Sequence, residues 1–217
     1  MSELRNFTVA SARPLPVILL VDVSGSMEAN GKIAALNRAV VEMLASFQGE
    51  ENSRVEIQVA IITFGGQTAS VFQDLRPVSE IKYTDMKAYG KTPMGAAFKL
   101  ATDLIEDRQK IPSRAYAPTI VLVSDGIPTD EWEMPLRLLL SSERASKAAR
   151  FAISIGDDAN QETLKMFLDG YTNNLKLAHE AAEIQKFFRW VTMSVTTRSQ
   201  SNNPNRIEST EPNDFDY

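Results

Sequence analysis

Two aliphatic runs, each closed by an aspartate, constrain this chain more than any other feature of its sequence. They are Pro16-Val-Ile-Leu-Leu-Val-Asp22 and Thr119-Ile-Val-Leu-Val-Ser-Asp125. Neither alternates apolar with polar, so each reads as a strand buried on both faces, as strands of a parallel sheet are. Between and beyond them, apolar residues recur at helical spacing. One stripe is Ile33, Leu36, Val40, Met43, Leu44 and Phe47. A second is Met94, Ala97, Phe98, Ala101, Leu104 and Ile105, and a last one is Ile184, Phe187, Phe188, Val191 and Val195. Arg54 to Phe64 alternates as a further strand, and Gly65-Gly66 turns it into a short strand through Val71 and Phe72. Phe151 to Ile155 is another buried strand. A helix around Glu162 to Leu168 follows, then a short edge strand from Leu175 to Ala178. Strands alternating with helices predict an α/β, Rossmann-like fold: a mostly parallel central sheet, one antiparallel edge strand, and helices on both faces.

The 217 residues, 43% of them hydrophobic, suffice for one such domain with a full core. The expected division is an N-terminal extension (1–14), the domain (15–197) and a disordered polar tail (198–217). A net charge of -5 argues against a nucleic-acid partner, since no basic excess is available to displace counterions from phosphates. With no cysteine, disulfides, zinc–thiolate sites and a cysteine nucleophile are excluded. The longest apolar run, Val17 to Val21, is too short to cross a bilayer, so no membrane is expected. Met1 to Pro16 lacks the apolar segment of a secretory signal, and the expected location is the cytoplasm.

In such sheets ligands lie beyond the carboxyl ends of the strands, where strand order reverses. If the two aspartate-ended strands are neighbours, both carboxylates enter one crevice. There they repel, unless one takes up a proton or a cation joins them. Asp22-Val23-Ser24-Gly25-Ser26 adds two hydroxyls on a tight turn. Together with Lys91-Thr92-Pro93 and Ser124-Asp125-Gly126, this pattern resembles the von Willebrand factor A (VWA) domain and its metal-ion-dependent adhesion site (MIDAS). The resemblance spans about Leu15 to Thr197 and matches all five positions. It implies one metal ion held by Asp22, Ser24, Ser26, Thr92 and Asp125. Oxygen donors without His or Cys favour Mg²⁺, with Mn²⁺ or Ca²⁺ as alternatives. Two anionic ligands leave that ion electrophilic, with a position for a partner's Asp or Glu. Ser124-Asp125-Gly126-Ile-Pro-Thr-Asp130 and Tyr89-Gly-Lys-Thr-Pro-Met-Gly95 look like bacterial cytoplasmic VWA proteins of the tellurite-resistance (TerY-like) type. That likeness implies a stress-response assembly with a kinase-like protein and a phosphatase, and a binding module rather than an enzyme.

Other readings are weighed against this one. Asp22 and Ser24 suit an ordinary Asx turn, and Thr92 suits the N-cap of the helix that begins at Pro93. Capping and ligation compete for the same hydroxyl. Gly90-Lys91-Thr92 is not a phosphate loop, because Asp85 stands where that motif needs glycine. A metal-dependent phosphohydrolase is the alternative function, but Ser24 cannot serve as the general acid of an aspartate-nucleophile phosphatase. A regulatory phospho-substrate, modified at Thr196, Thr197, Ser199 or Ser201, is compatible with the binding module. Trp132 is open between interface anchor and helix packing. Asp130 is open between loop acid and indirect support of the metal. His179, the only histidine, is expected at a solvated helix start.

Overall fold

The computed structural model describes residues 12–50, 54–156 and 161–206. Among them six strands form one sheet: β1 (Arg13–Asp22), β2 (Val55–Gly65), β3 (Thr68–Pro77), β4 (Thr119–Ser124), β5 (Ala149–Ile155) and β6 (Leu175–Ala178). The spatial order is β3-β2-β1-β4-β5-β6, with only the β2–β3 pair antiparallel. The expected fold class is the one observed. Strand order reverses between β1 and β4, which pair in parallel with Val21 opposite Val123. The two aspartates therefore leave the sheet side by side.

Five helices cover the sheet: α1 (Lys32–Gln48), α2 (Met94–Glu106), α3 (Glu133–Ser141), α4 (Gln161–Leu168) and α5 (Ala181–Gln200). Alternate residues of β1 sort into two cores, because successive side chains on a strand point to opposite faces. Leu15, Val17, Leu19 and Val21 join α1 and α5, while Ile18 and Leu20 join α2, α3 and α4. Every residue of β4 is buried, and each fully buried aliphatic there stabilises the fold by about 1.5–3 kcal/mol.

Four boundaries differ from the sequence expectation. β1 begins at Arg13, not Pro16, and includes two prolines. They are tolerated because β4 starts to pair only at Val17, so the first residues of β1 have a ladder on the β2 side alone. The strand after Gly66 is ten residues long rather than short, and forms the antiparallel edge. α3 had no counterpart in the periodicity reading. Pro135 looks like a breaker, yet it sits in the first turn, where its missing N–H leaves no bond unmade. Finally, α5 continues through Arg198 to Gln200, where a disordered tail was expected. Arg198 is buried. Its guanidinium donates to the Thr119 hydroxyl (2.6 Å) and to the carbonyls of Ala117 (2.8 Å) and Pro204 (3.0 Å), holding the segment after α5 at Pro204. The rest of the expected tail, 207–217, and most of the expected N-terminal extension lie outside the described residues. The proposed phosphorylation positions fall within or just after a helix, and Ser199 is buried.

Candidate metal centre

Asp22 ends β1 fully buried. Its Oδ1 accepts the Ser24 backbone N–H (2.8 Å), so the chain turns at once into the short 3₁₀ segment Gly25–Gly31. Its Oδ2 accepts the Ser124 hydroxyl from the end of β4 (2.7 Å). On the other side of the crevice Ser24 Oγ lies 3.0 Å from Ser26 Oγ, and Ser26 donates to Asp125 Oδ1 (2.7 Å). The remaining oxygen of Asp125, Oδ2, accepts from Lys32 Nζ, also at 2.7 Å.

Thr92 arrives on a separate loop, held by backbone contacts. Gly66 and Gly90 form an isolated bridge: Gly66 N–H donates to Tyr89 O (2.9 Å) and Lys91 N–H to Gly66 O (3.1 Å). Both glycines have positive φ, and a Cβ on Gly90 would lie 2.4 Å from the Gly66 Cα. Only glycine fits there. The same loop accepts Gly25 N–H at Gly90 O (3.0 Å), tying it to the serine turn. Gly90-Lys91-Thr92 is thus a backbone clasp. Thr92 then exchanges bonds with Thr129: its N–H donates to the Thr129 hydroxyl, and Thr129 N–H donates to its carbonyl.

The competition between capping and ligation for Thr92 is resolved by Asp130. α2 starts at Met94, and Pro93, at its N-cap, makes no side-chain cap. Instead Asp130 accepts Gly95 N–H and Ala96 N–H, one on each carboxylate oxygen, at 2.9 Å each. An aspartate on another loop satisfies the helix, and Thr92 does not have to. Its Oγ1 lies 3.2 Å from where a Cβ on Gly126 would stand, and Asp22 Oδ2 lies 3.9 Å from the same point. Asp22, Ser24, Ser26, Thr92 and Asp125 therefore meet around one crevice at the ends of β1 and β4.

Burial, more than anything else, pushes the Asp22 carboxyl up to about 6, and the Asp125 charge raises it further. Hydrogen bonds from Ser24 and Ser124 partly offset that rise. A buried acid so placed gains from a nearby positive charge. Among the described residues no group of three or more His, Cys, Asp or Glu is clustered, so any cation site here must draw on hydroxyls. The donors that do converge are all oxygen, in keeping with a hard divalent ion.

Two participants were not marked as such in the sequence. Ser124 was visible only as part of a motif, and Lys32 looked like an ordinary first residue of a helix. Trp132 is partly buried against the layer of α2–α4, as the helix-packing reading expects. His179 lies exposed between β6 and α5. Two apolar side chains border the crevice loops and are mostly exposed: Tyr89 (57%) and Ile127 (63%).

Comparison with known proteins agrees with this architecture. The model of the von Willebrand factor type A domain matches residues 17–127, and the chain belongs to that family. An uncharacterized protein of Mycobacterium tuberculosis is 32% identical over 118 residues, which cover 52% of this chain but 18% of that protein. Among solved structures, the pilus adhesin SpaC of Lactobacillus rhamnosus GG superposes with a TM-score of 0.68 at 15% identity, covering 85% of this chain and 31% of that one. Proximal thread matrix protein 1 of the mussel byssus, solved with a zinc-occupied MIDAS motif, gives a TM-score of 0.62 at 15% identity, covering 84% and 45%. A VWA2 paralog of ArnB from Sulfolobus acidocaldarius gives 0.59 at 18%, covering 87% and 46%. The chain thus spans less than half the length of these proteins. Among the described residues no helix is long and apolar enough to cross a membrane.

Proposed function

We propose that this chain is a metal-ion-dependent protein-interaction module, in which Asp22, Ser24, Ser26, Thr92 and Asp125 hold one divalent ion. The observation that carries this reading is a buried carboxylate, Asp22, beside a second one, Asp125, with three hydroxyls from two loops closing on them. Mg²⁺ is the proposed ion, with Mn²⁺ or Ca²⁺ as substitutes. The zinc found in the mussel protein supports a metal at this place in the fold, although an all-oxygen donor set is harder than zinc usually selects. When bound, the ion would supply an electrophilic position for an Asp or Glu carboxylate of a partner. Tyr89 and Ile127 would border that carboxylate and favour a partner whose acid is flanked by apolar residues.

Binding rather than turnover is favoured by the donor set: both crevice carboxylates, Asp22 and Asp125, are assigned to the ion, and neither a histidine nor a cysteine is among the residues that meet there to serve as base or nucleophile. The wider setting we propose is a cytoplasmic bacterial stress or tellurite-resistance assembly with a kinase-like protein and a phosphatase. It rests on the likeness of the Tyr89–Gly95 and Ser124–Asp130 segments to TerY-like proteins. Calorimetric titration with Mg²⁺ and Mn²⁺ tests the centre, and Asp22→Ala should abolish binding. A pull-down from the host, with and without EDTA, tests the partner. A partner retained equally by wild type, by Asp22→Ala and in EDTA would refute the metal bridge.

A further inference from the structure

We propose that Lys32 is a resident counter-cation that sets the charge of the centre, so that a divalent ion is held firmly only together with an incoming carboxylate. This rests on the metal-centre reading and adds a residue that the five-ligand pattern does not contain. Lys32 is the first residue of α1, and it reaches over the sheet to place Nζ 2.7 Å from Asp125 Oδ2. Its side chain is 19% exposed and that of Asp125 is fully buried, so this pair is not one of the solvated surface pairs that contribute little. Gly156, just beyond β5, neighbours the ammonium: a Cβ there would stand in ordinary contact, 3.5 Å from Lys32 Nζ, while its φ of +85° favours glycine.

The charges then decide the order of preference. Asp22, Asp125 and Lys32 sum to minus one. A divalent ion brings the centre to plus one, and one carboxylate from outside brings it to zero. Without the ammonium the same states carry minus two, zero and minus one. Net charge in a poorly hydrated crevice is costly, so the neutral state is the preferred one. With Lys32 the neutral state is the ion with a bound carboxylate; without it, the ion alone. Ion and carboxylate therefore bind with positive coupling in the native chain, and each raises the affinity for the other by the same factor. Ser26 supports the arrangement from the opposite side, since its hydroxyl holds Asp125 Oδ1 and fixes the oxygen that faces Lys32.

The test uses the full chain and Mn²⁺, whose binding is read by electron paramagnetic resonance or calorimetry, in chloride and then in acetate of equal ionic strength. Lys32→Met keeps the aliphatic stem and removes the charge; Lys32→Arg keeps the charge; Lys32→Gln serves if the methionine variant fails to fold. In chloride, Lys32→Met should bind Mn²⁺ about tenfold more tightly than wild type, the size of an ordinary coupling between sites. Acetate should tighten Mn²⁺ binding to wild type and to Lys32→Arg, and weaken or leave unchanged that of Lys32→Met. Equal or weaker Mn²⁺ binding by a folded Lys32→Met or Lys32→Gln variant would overturn the role given to Lys32. Failure of wild type to bind Mn²⁺ at all would instead remove the centre itself.

Discussion

At the scale of single residues, Asp22 is where burial and charge conflict most directly. Its carboxyl is raised from 3.8 to about 6, chiefly by burial. Between those two values the native chain holds a proton that the unfolded chain has released. Without metal, the contribution of Asp22 to stability is therefore most favourable below about pH 4 and is lost as the pH rises to 6 and beyond, by at most about 3 kcal/mol. Asp22→Asn should remove this cost, since its amide can still accept from Ser24 N–H and donate to Ser124 Oγ. Urea unfolding in EDTA at about pH 7.5 should show the variant more stable by about 1–3 kcal/mol, with the gap closing near about pH 4. The same variant should gain nothing from added Mg²⁺. Asp22, Ser24, Ser26 and Asp125 were legible in sequence because their motifs follow strand ends, where a parallel sheet delivers them to one place, whereas Thr92, on a separate loop, was marked by the family resemblance. Lys32 was not legible. A lysine opening a helix looks solvated until its 2.7 Å approach to an acid on another strand is known.

Among elements, the start of α2 shows what local sequence hides. Thr92-Pro93 has the signature of a helix N-terminus, but the cap comes from Asp130, which lies 34 and 35 residues beyond the Ala96 and Gly95 amides it accepts. That is a tertiary contact, invisible to a local rule, and it explains how one threonine escapes two duties. Asp130→Ala should lower stability by about 1 kcal/mol, the ordinary loss of a cap. It should also weaken Mg²⁺ binding, because the Thr129–Thr92 pairing loses its support; calorimetry with thermal unfolding measures both. Gly95 is fixed by the same packing. A Cβ there would stand 2.0 Å from Glu131 O, a backbone atom that cannot swing away. Gly95→Ala should cost about 2 kcal/mol or more in denaturant unfolding. α3 escaped prediction for a related reason: Leu136 and Leu139 are its buried face, but nine residues with an early proline give too short a period to recognise.

Across the whole molecule, the sequence marked two aspartate-ended buried runs as candidate neighbours, and the strand order makes them so. The closing contact at the opposite end was not marked. The polar composition after Arg198 reads as tail, yet the guanidinium of Arg198 is buried against β4's first residue, and burial lowers its pKa to about 10. Arg198→Met leaves three acceptors without their donor and should cost about 2–4 kcal/mol, measured by urea unfolding. The β1–β4 junction also has a kinetic side. The bonds that join its two ends link residues 99 and 102 positions apart, contacts of the kind that slow folding. A chain caught midway, with β1 and β2 paired and β4 still loose, would hold no completed crevice for an ion to enter. Magnesium would then act as a latch rather than a guide: in stopped-flow traces it would slow the opening of the finished molecule many-fold while leaving the rate of its assembly almost as it is in EDTA.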